Sequence, residues 1–158
     1  MAGYGTNEGF TAWLEANGYT MPDSAPEPAI LRQRGSAYID GLYGPRFSGY
    51  PTGGFEQERA WPRTSAYFAS SQIPVDSIPR AINEASYAAA YYEANNPGGL
   101  SAAVTAAGAV KREKVDVIEV EYFEGSGSAL ENATVVLSSV EGLLAPFFSR
   151  AEPGIFAV

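Results

Sequence analysis

A chain of 158 residues in which 46% are hydrophobic is long enough for one domain with a single core. It contains neither cysteine nor histidine, which excludes disulfides, thiolate metal sites and catalysis by Ser-His-Asp or Cys-His groups. The formal net charge of −8 opposes binding to nucleic acid phosphates and suits a surface to which DNA must not adhere. No run of about 18 apolar residues occurs, so we expect no transmembrane helix.

The first two predicted elements are helices with recognisable ends. Thr6 or Asn7 is a typical N-cap, and Gly18 lies where a left-handed C-cap is expected, so the first helix is predicted to extend to about Asn17. Pro28 suits the first turn of a second helix, which should end near residues 41–44. Residues 44–80 are too long for a plain connection and are predicted to form an ordered loop.

The second half of the chain contains a third helix, a hairpin and a fourth helix in the prediction. The third helix starts near Ser77 and Pro79 and ends around residues 95–99. Alternating β-branched residues over 109–124 predict a hairpin that turns near residues 115–117. A last helix is predicted over 130–144, because its apolar residues are spaced by three and four.

These elements predict a mainly α fold, a small bundle of about four helices with a protruding β-hairpin, a long ordered loop and an extended C-terminal tail. The helical domain with its hairpin is expected over residues 1–149, and a docking tail over 150–158. The tail ends in the apolar sequence GIFAV, which is unfavourable in water unless it docks on another surface.

No set of residues suited to catalysis is apparent. Glu15, Glu56 and Glu58 could act as acids or bases, but solvated or ion-paired carboxylates are the plainer interpretation, with Arg59 and Arg63 in reach. The glycines do not form a phosphate-binding loop, and the acids lack the spacing of a calcium loop. We therefore expect a structural or interaction protein without enzymatic activity, cofactor or metal.

The densest basic run consists of Lys111, Arg112 and Lys114 on the first hairpin strand. One interpretation is a patch for nucleic acid or an acidic partner, and the other is a solvated face paired across the hairpin with Glu119 and Glu121. Several tyrosines could stack on single-stranded bases, but such platforms work beside a positive groove and this chain is acidic. They are Tyr38, Tyr43, Tyr87, Tyr91 and Tyr92.

Five ordered segments together resemble a known family. They are GSAYIDGLYGPRFSG at 35–49, GGFEQERAWPRT at 53–64, IPRAINEASYAAAYYEA at 78–94, GAVKREKVDVIEVEYFEG at 108–125 and VLSSVEGLLAPF at 136–147. The combination resembles a phage and prophage family labelled "DnaT-like single-stranded-DNA-binding protein", which is itself similar to head–tail connector adaptors of long-tailed phages. Asp116 departs from the pattern, since glycine is expected in that hairpin turn.

The connector resemblance implies a head-completion protein in the neck of the virion, assembled in the host cytoplasm. Copies of such adaptors form a ring, commonly twelvefold, between the portal protein and the next neck or tail-completion protein, and DNA passes through the lumen without sequence-specific binding. Their C-terminal segment typically docks on the portal, which points to Ile155, Phe156 and Val158. The hairpin, from Lys111 to Glu121, becomes a candidate contact to a neighbouring copy or to the tail. The family label implies the alternative, a single-stranded-DNA-binding replication accessory protein.

The segment GGFEQERAWPRT can then be interpreted in two ways. In both, Phe55 and Trp61 anchor the long loop on the helical bundle, and Pro62 keeps Trp61 extended. The loop is either an interface with the neighbouring copy in the ring or an ordered loop packed on its own domain. Its charged residues offer ion pairs within the subunit or across the interface. They are Glu56, Glu58, Arg59 and Arg63.

Overall fold

The structure, a computed structural model, describes residues 2–101, 112–115, 118–122 and 135–150. The described part has four α-helices, which confirms the mainly α fold class. They are α1 (Asn7–Asn17), α2 (Pro28–Tyr43), α3 (Arg80–Asn95) and α4 (Ser138–Leu144). None of the described helices is long and apolar enough to span a membrane.

Both ends of α1 and the start of α2 follow local signals in the sequence. The Thr6 hydroxyl accepts a hydrogen bond from the Gly9 backbone N–H at 3.0 Å, and Gly18 closes α1 in the left-handed conformation with φ of 69°. Pro28 is in the first turn of α2, where a missing N–H costs nothing. The predicted positions of α1, α2 and α3 are confirmed.

The centre of the core is the contact between α2 and α3. Ile39 on α2 and Ile82 on α3 are fully buried. The helices approach most closely at Gly35, where an added Cβ would lie 2.4 Å from the Ser86 carbonyl oxygen. The hydroxyls of Ser36 and Ser86 are hydrogen-bonded at 2.8 Å within this contact, so the polar atoms at the centre are satisfied.

A three-stranded antiparallel sheet carries the predicted hairpin. Its order is β5 (Arg112–Val115), β6 (Ile118–Tyr122) and β7 (Val135–Leu137). Val115 pairs with Ile118, so the hairpin turns where predicted, although residues 116 and 117 lie outside the described residues.

The prediction of one helix over 130–144 is wrong in its described first part. Residues 135–137 form β7, in which Val135 pairs with Tyr122 and Leu137 with Val120, and α4 begins only at Ser138. The apolar spacing of this segment fits both a helix and a strand, and the hydrogen bonds to β6 decide for the strand. Residues 130–134 lie outside the described residues.

The long segment between α2 and α3 is ordered, as predicted. It contains two short antiparallel hairpins that were not predicted, β1 (Tyr50–Pro51) with β2 (Arg63–Thr64) and β3 (Tyr67–Phe68) with β4 (Ser71–Gln72). A backbone bridge between Phe47 and Phe148 joins this segment to the chain that follows α4. Lys111 and the tail residues Ile155, Phe156 and Val158 lie outside the described residues.

Candidate functional site

Trp61 belongs to residues 44–79, the segment between α2 and α3, and its side chain is buried in the core. Its side chain is 1% exposed, and its ring packs edge-on against Phe47 at 5.6 Å and Phe147 at 5.8 Å between ring centroids. Its backbone N–H donates to the Tyr4 hydroxyl at 3.1 Å, and the following peptide bond to Pro62 is cis. The centre of the segment is therefore fixed to the helical body.

Arg63 is buried and bonds to backbone carbonyls instead of to a carboxylate. Its guanidinium donates to the carbonyls of Gly49 at 2.6 Å, Ser48 at 2.9 Å and Ala60 at 3.1 Å. A longer bond reaches Phe47 O at 3.4 Å. Burial lowers the pKa of the Arg63 guanidinium. Arg63 thus satisfies carbonyls of irregular backbone, and it forms no ion pair with a carboxylate of the described residues.

Arg59 pairs with Asp40 on α2, a partner that the sequence analysis did not identify. Its Nη1 lies 3.2 Å from Asp40 Oδ2, and the Tyr4 hydroxyl donates to the other oxygen of the same carboxylate at 2.5 Å. Burial raises the pKa of the Asp40 carboxyl, although the hydrogen bonds from Tyr4 and Arg59 act in the opposite direction. Burial and the nearby Asp40 carboxylate raise the pKa of Tyr4. These three residues clamp the loop to the N-terminal segment.

Gln57 gives residues 53–58, the loop tip, a fixed shape. Its side-chain oxygen accepts from the Gly53 N–H at 2.8 Å, and its side-chain nitrogen donates to the carbonyls of Arg59 at 2.7 Å and Pro62 at 3.0 Å. Gln57 was missed in the sequence analysis, because an amide inside a charged stretch gives no signal that it bonds to the backbone.

The structure corrects the prediction for Phe55. Its side chain is 96% exposed, so it does not anchor the loop on its own domain. The loop turns outward here through Gly54, whose φ of 66° is in the left-handed region that glycine favours. Glu56 and Glu58 are also exposed, and neither forms an ion pair within the part of the chain that the structure describes. The loop tip is thus an acidic projection with one aromatic ring.

All six arginines between residues 2 and 101 bond within the protein. Besides Arg59 and Arg63, Arg32 donates to Asn7 and to carbonyls of residues 3–5. The remaining three form ion pairs, Arg34 with Glu93 at 3.0 Å, Arg46 with Glu141 at 2.9 Å and Arg80 with Glu84 at 2.7 Å. Every cation of this region therefore has a partner within the protein, although the side chain of Arg80 is 89% exposed.

The tyrosines considered as base-stacking platforms belong to the core. Four of them are 8% exposed or less, namely Tyr43, Tyr87, Tyr91 and Tyr92, and Tyr38 is half-buried. Tyr91, for example, stacks on Tyr19 with ring centroids 4.5 Å apart. Rings that are buried in this way offer no free face to a base.

The hairpin register places opposite charges across the two strands. Arg112 lies opposite Glu121, and Lys114 lies opposite Glu119. This is the arrangement in which cross-strand charge pairs form, one of the two interpretations of the basic run. Both interpretations, the charge pairs across the hairpin and a patch for nucleic acid or an acidic partner, stay predictions.

A groove of about 660 Å³ lies between α1, α3 and α4. Its walls include Trp13 and Leu143, and the exposed methyl groups of Ala12 and Ala16 line one side. Asn83, one of its lining residues, has a buried side-chain oxygen without a hydrogen-bond partner among the described residues. Among the described residues, no cluster of acidic groups could hold a metal ion.

A family model described as "Putative DnaT-like ssDNA binding protein" matches residues 2–158 of the chain. No curated protein and no solved structure matches it.

Proposed function

The chain belongs to this DnaT-like family, and we propose that it is a structural protein of the phage virion, a head–tail adaptor. In this proposal its copies form a ring between the portal protein and the next neck or tail-completion protein, and the ring continues the channel for DNA. The site of action is the virion neck, with assembly in the host cytoplasm.

The commitment of the arginines is the observation that supports this proposal over DNA binding. Protein affinity for single-stranded DNA depends on free cations along the backbone path and on exposed aromatic faces. Here all six arginines of residues 2–101 have partners within the protein, Arg80 alone among them being largely exposed, and four of the five candidate tyrosines are buried in the core. With a net charge of −8, such a surface suits a channel through which DNA slides without adhering.

Assembly in this proposal depends on surfaces outside the core. The apolar tail residues Ile155, Phe156 and Val158 dock on the portal, and burial of apolar area provides the binding free energy. Charge pairs on the hairpin and on the loop tip set the register between copies or towards the tail. No catalytic step and no cofactor is part of this function.

The family description carries the second candidate, a single-stranded-DNA-binding replication accessory protein. Its interface would be the first hairpin strand, where Arg112 and Lys114 follow Lys111. In that case the affinity for an oligonucleotide would fall steeply with rising salt.

Electron microscopy of particles from a phage that lacks this protein tests the first candidate. We expect heads without tails, or heads that have lost their DNA, and complementation with the intact gene should restore tailed particles. Normal tailed particles together with impaired DNA replication would overturn the adaptor proposal.

Oligonucleotide binding separates the two candidates directly. The purified protein is titrated against a labelled single-stranded oligonucleotide at low and high salt by fluorescence anisotropy, beside a variant with alanine at Lys111, Arg112 and Lys114. We expect no salt-dependent binding and no difference between the two proteins. Salt-dependent binding that the alanine variant loses would favour the DNA-binding candidate.

A further inference from the structure

We propose that the loop tip of one copy binds in the groove between α1, α3 and α4 of a second copy, with Phe55 as the inserted side chain. This inference rests on the proposed function in that it names a contact between neighbouring copies of the ring. The partner is therefore a second molecule of the same chain, bound through two different surfaces.

The exposure of Phe55 is exceptional for this protein. The other exposed large apolar side chains of the described residues are 38–60% exposed, whereas Phe55 is 96% exposed. Single apolar residues on a surface are ordinary when they lie flat against their own domain, but this ring contacts almost nothing. The Gln57 side chain is hydrogen-bonded to the Gly53 N–H and to the Pro62 carbonyl, and these bonds fix the turn from which Phe55 projects. A preformed aromatic projection loses little conformational entropy on binding, which is typical of an interface hot spot.

The groove has the chemistry that such a projection needs. Trp13 and Leu143 provide apolar walls, and the alanine methyl groups on α1 leave room between them. Its volume of about 660 Å³ lies in the range of pockets that take groups of this size.

The loop tip is acidic, and the groove carries one base and one acid, Arg80 and Glu84. Glu56 and Glu58 flank the Phe55 ring without ion-pair partners in the described structure. Arg80 stands at the edge of the groove with a side chain that is 89% exposed, and its only ion pair among the described residues is with Glu84 on the same helix. An exposed pair of this kind contributes little, so Arg80 can also bind a carboxylate from a second copy.

The contact joins unlike surfaces, a loop tip and a groove. A heterologous contact of this kind leaves one loop tip and one groove free in each dimer, so further copies add in the same sense until a ring closes. A contact between two identical surfaces would instead stop at the dimer. We therefore expect each loop tip to bind a groove, and no contact between two loop tips or between two grooves.

The absence of cysteine allows a direct test by disulfide cross-linking. A Glu56→Cys protein is mixed with an Ala16→Cys protein and oxidised, and a mixture of Glu56→Cys with Ser71→Cys is the matched control outside both surfaces. We expect the 56–16 heterodimer in excess of either homodimer and of the control pair. A predominance of homodimers, or equal yields from the control mixture, would overturn the inference.

Phe55 itself is tested in the same assay. Phe55→Ala in the Glu56→Cys protein should weaken the association about thirtyfold, as expected for truncation of a hot spot, and Phe55→Tyr should retain the cross-link. Because the side chain is exposed in its own subunit, the thermal unfolding midpoint of the Phe55→Ala protein should not change. Cross-linking that is unaffected by Phe55→Ala would refute the role of this ring.

Particles carrying both cysteines in every copy separate this inference from the proposed function. A ladder of linked multimers on a non-reducing gel is expected for a head-to-tail ring. Tailless heads on deletion of the protein, but no ladder from the doubly substituted particles, would leave the adaptor function intact and overturn the contact. Absence of the protein from the particles would refute the adaptor function, and the heterodimer assay on the free protein would then decide the contact alone.

Discussion

Arg63 illustrates how a charged side chain in this protein stabilises backbone that is outside regular structure. The segment after α2 contains only two-residue strands, so many of its carbonyls have no partner in a sheet. A guanidinium has five N–H donors in one plane and can satisfy several carbonyls at once. Arg63 was predicted to form an ion pair instead. Residue types do not show the path of irregular backbone, so they could not indicate that four carbonyls lie around this guanidinium.

Removal of Arg63 should be among the costliest substitutions in the loop. We expect Arg63→Met to lower the free energy of unfolding by about 3 kcal/mol, because several buried carbonyls lose their donor. Arg80→Met is the matched control, and its exposed ion pair should be worth less than about 0.5 kcal/mol. Urea unfolding followed by circular dichroism measures both, and similar losses would contradict the structural role of Arg63.

Asp40 gives the protein a pH dependence of known sign. Burial raises the pKa of its carboxyl in the folded state above the unfolded value of about 3.9. At a pH between these two pKa values, the Asp40 carboxyl binds more protons in the folded protein than in the unfolded protein. The contribution of Asp40 to the free energy of unfolding is therefore largest below the unfolded pKa. It falls as the pH rises through the folded pKa.

The comparison of wild type with Asp40→Asn isolates this effect. We expect the difference in the free energy of unfolding, wild type minus variant, to decrease as the pH is raised from about 4. Urea unfolding at a series of pH values measures it. A difference that increased with pH would show that the Arg59 ion pair, and not burial, dominates the titration of Asp40.

The elements of the fold differ in how much of them residue types could predict. α1 and α2 were predicted because Thr6, Gly18 and Pro28 are local signals that act within one helical turn, and α3 because Pro79 directly precedes its first residue. The start of α4 was wrong because Val135 and Leu137 pair with β6, a contact that apolar spacing does not reveal. The exposure of Phe55 was also unpredictable, since a lone phenylalanine in a loop is buried in some proteins and projects in others.

The packing of α2 on α3 is tested by two glycines of the same helix. Gly35→Ala should lower the free energy of unfolding by about 1–3 kcal/mol, because the new Cβ would clash with the Ser86 carbonyl oxygen. Gly41→Ala should raise it by about 0.5 kcal/mol, because no atom lies within 4 Å of that Cβ and alanine favours a helix. Thermal unfolding gives both values, and equal signs would contradict the close approach at Gly35.

The helical domain and the C-terminal tail have separate roles in the proposed function. Among the residues that the structure describes, every large side chain that is less than 2% exposed lies between Phe10 and Leu144. The acidic balance belongs to the whole chain, and the internal bonding is that of the six arginines between residues 2 and 101. They could be anticipated only in part, since the net charge is read from the sequence but the arginine partners are not.

Deletion of residues 151–158 should separate folding from assembly. We expect the truncated protein to keep its free energy of unfolding within about 1 kcal/mol, because no residue of the described core is removed. In a complementation assay it should fail to join the portal and to restore tailed particles. A truncated protein that assembled normally on heads would refute the docking role of Ile155, Phe156 and Val158.

The direct passage from β7 into α4 has a mechanical consequence. Leu137 ends the strand that pairs with the hairpin, is fully buried, and is followed at once by the first residue of the helix. Its backbone N–H donates to the hydroxyl of Tyr38 on α2 at 3.3 Å. With no flexible connection between sheet and bundle at this point, a force applied to the hairpin by a bound partner is transmitted to α4 and α2. A displacement of the hairpin would therefore also displace α4 and α2.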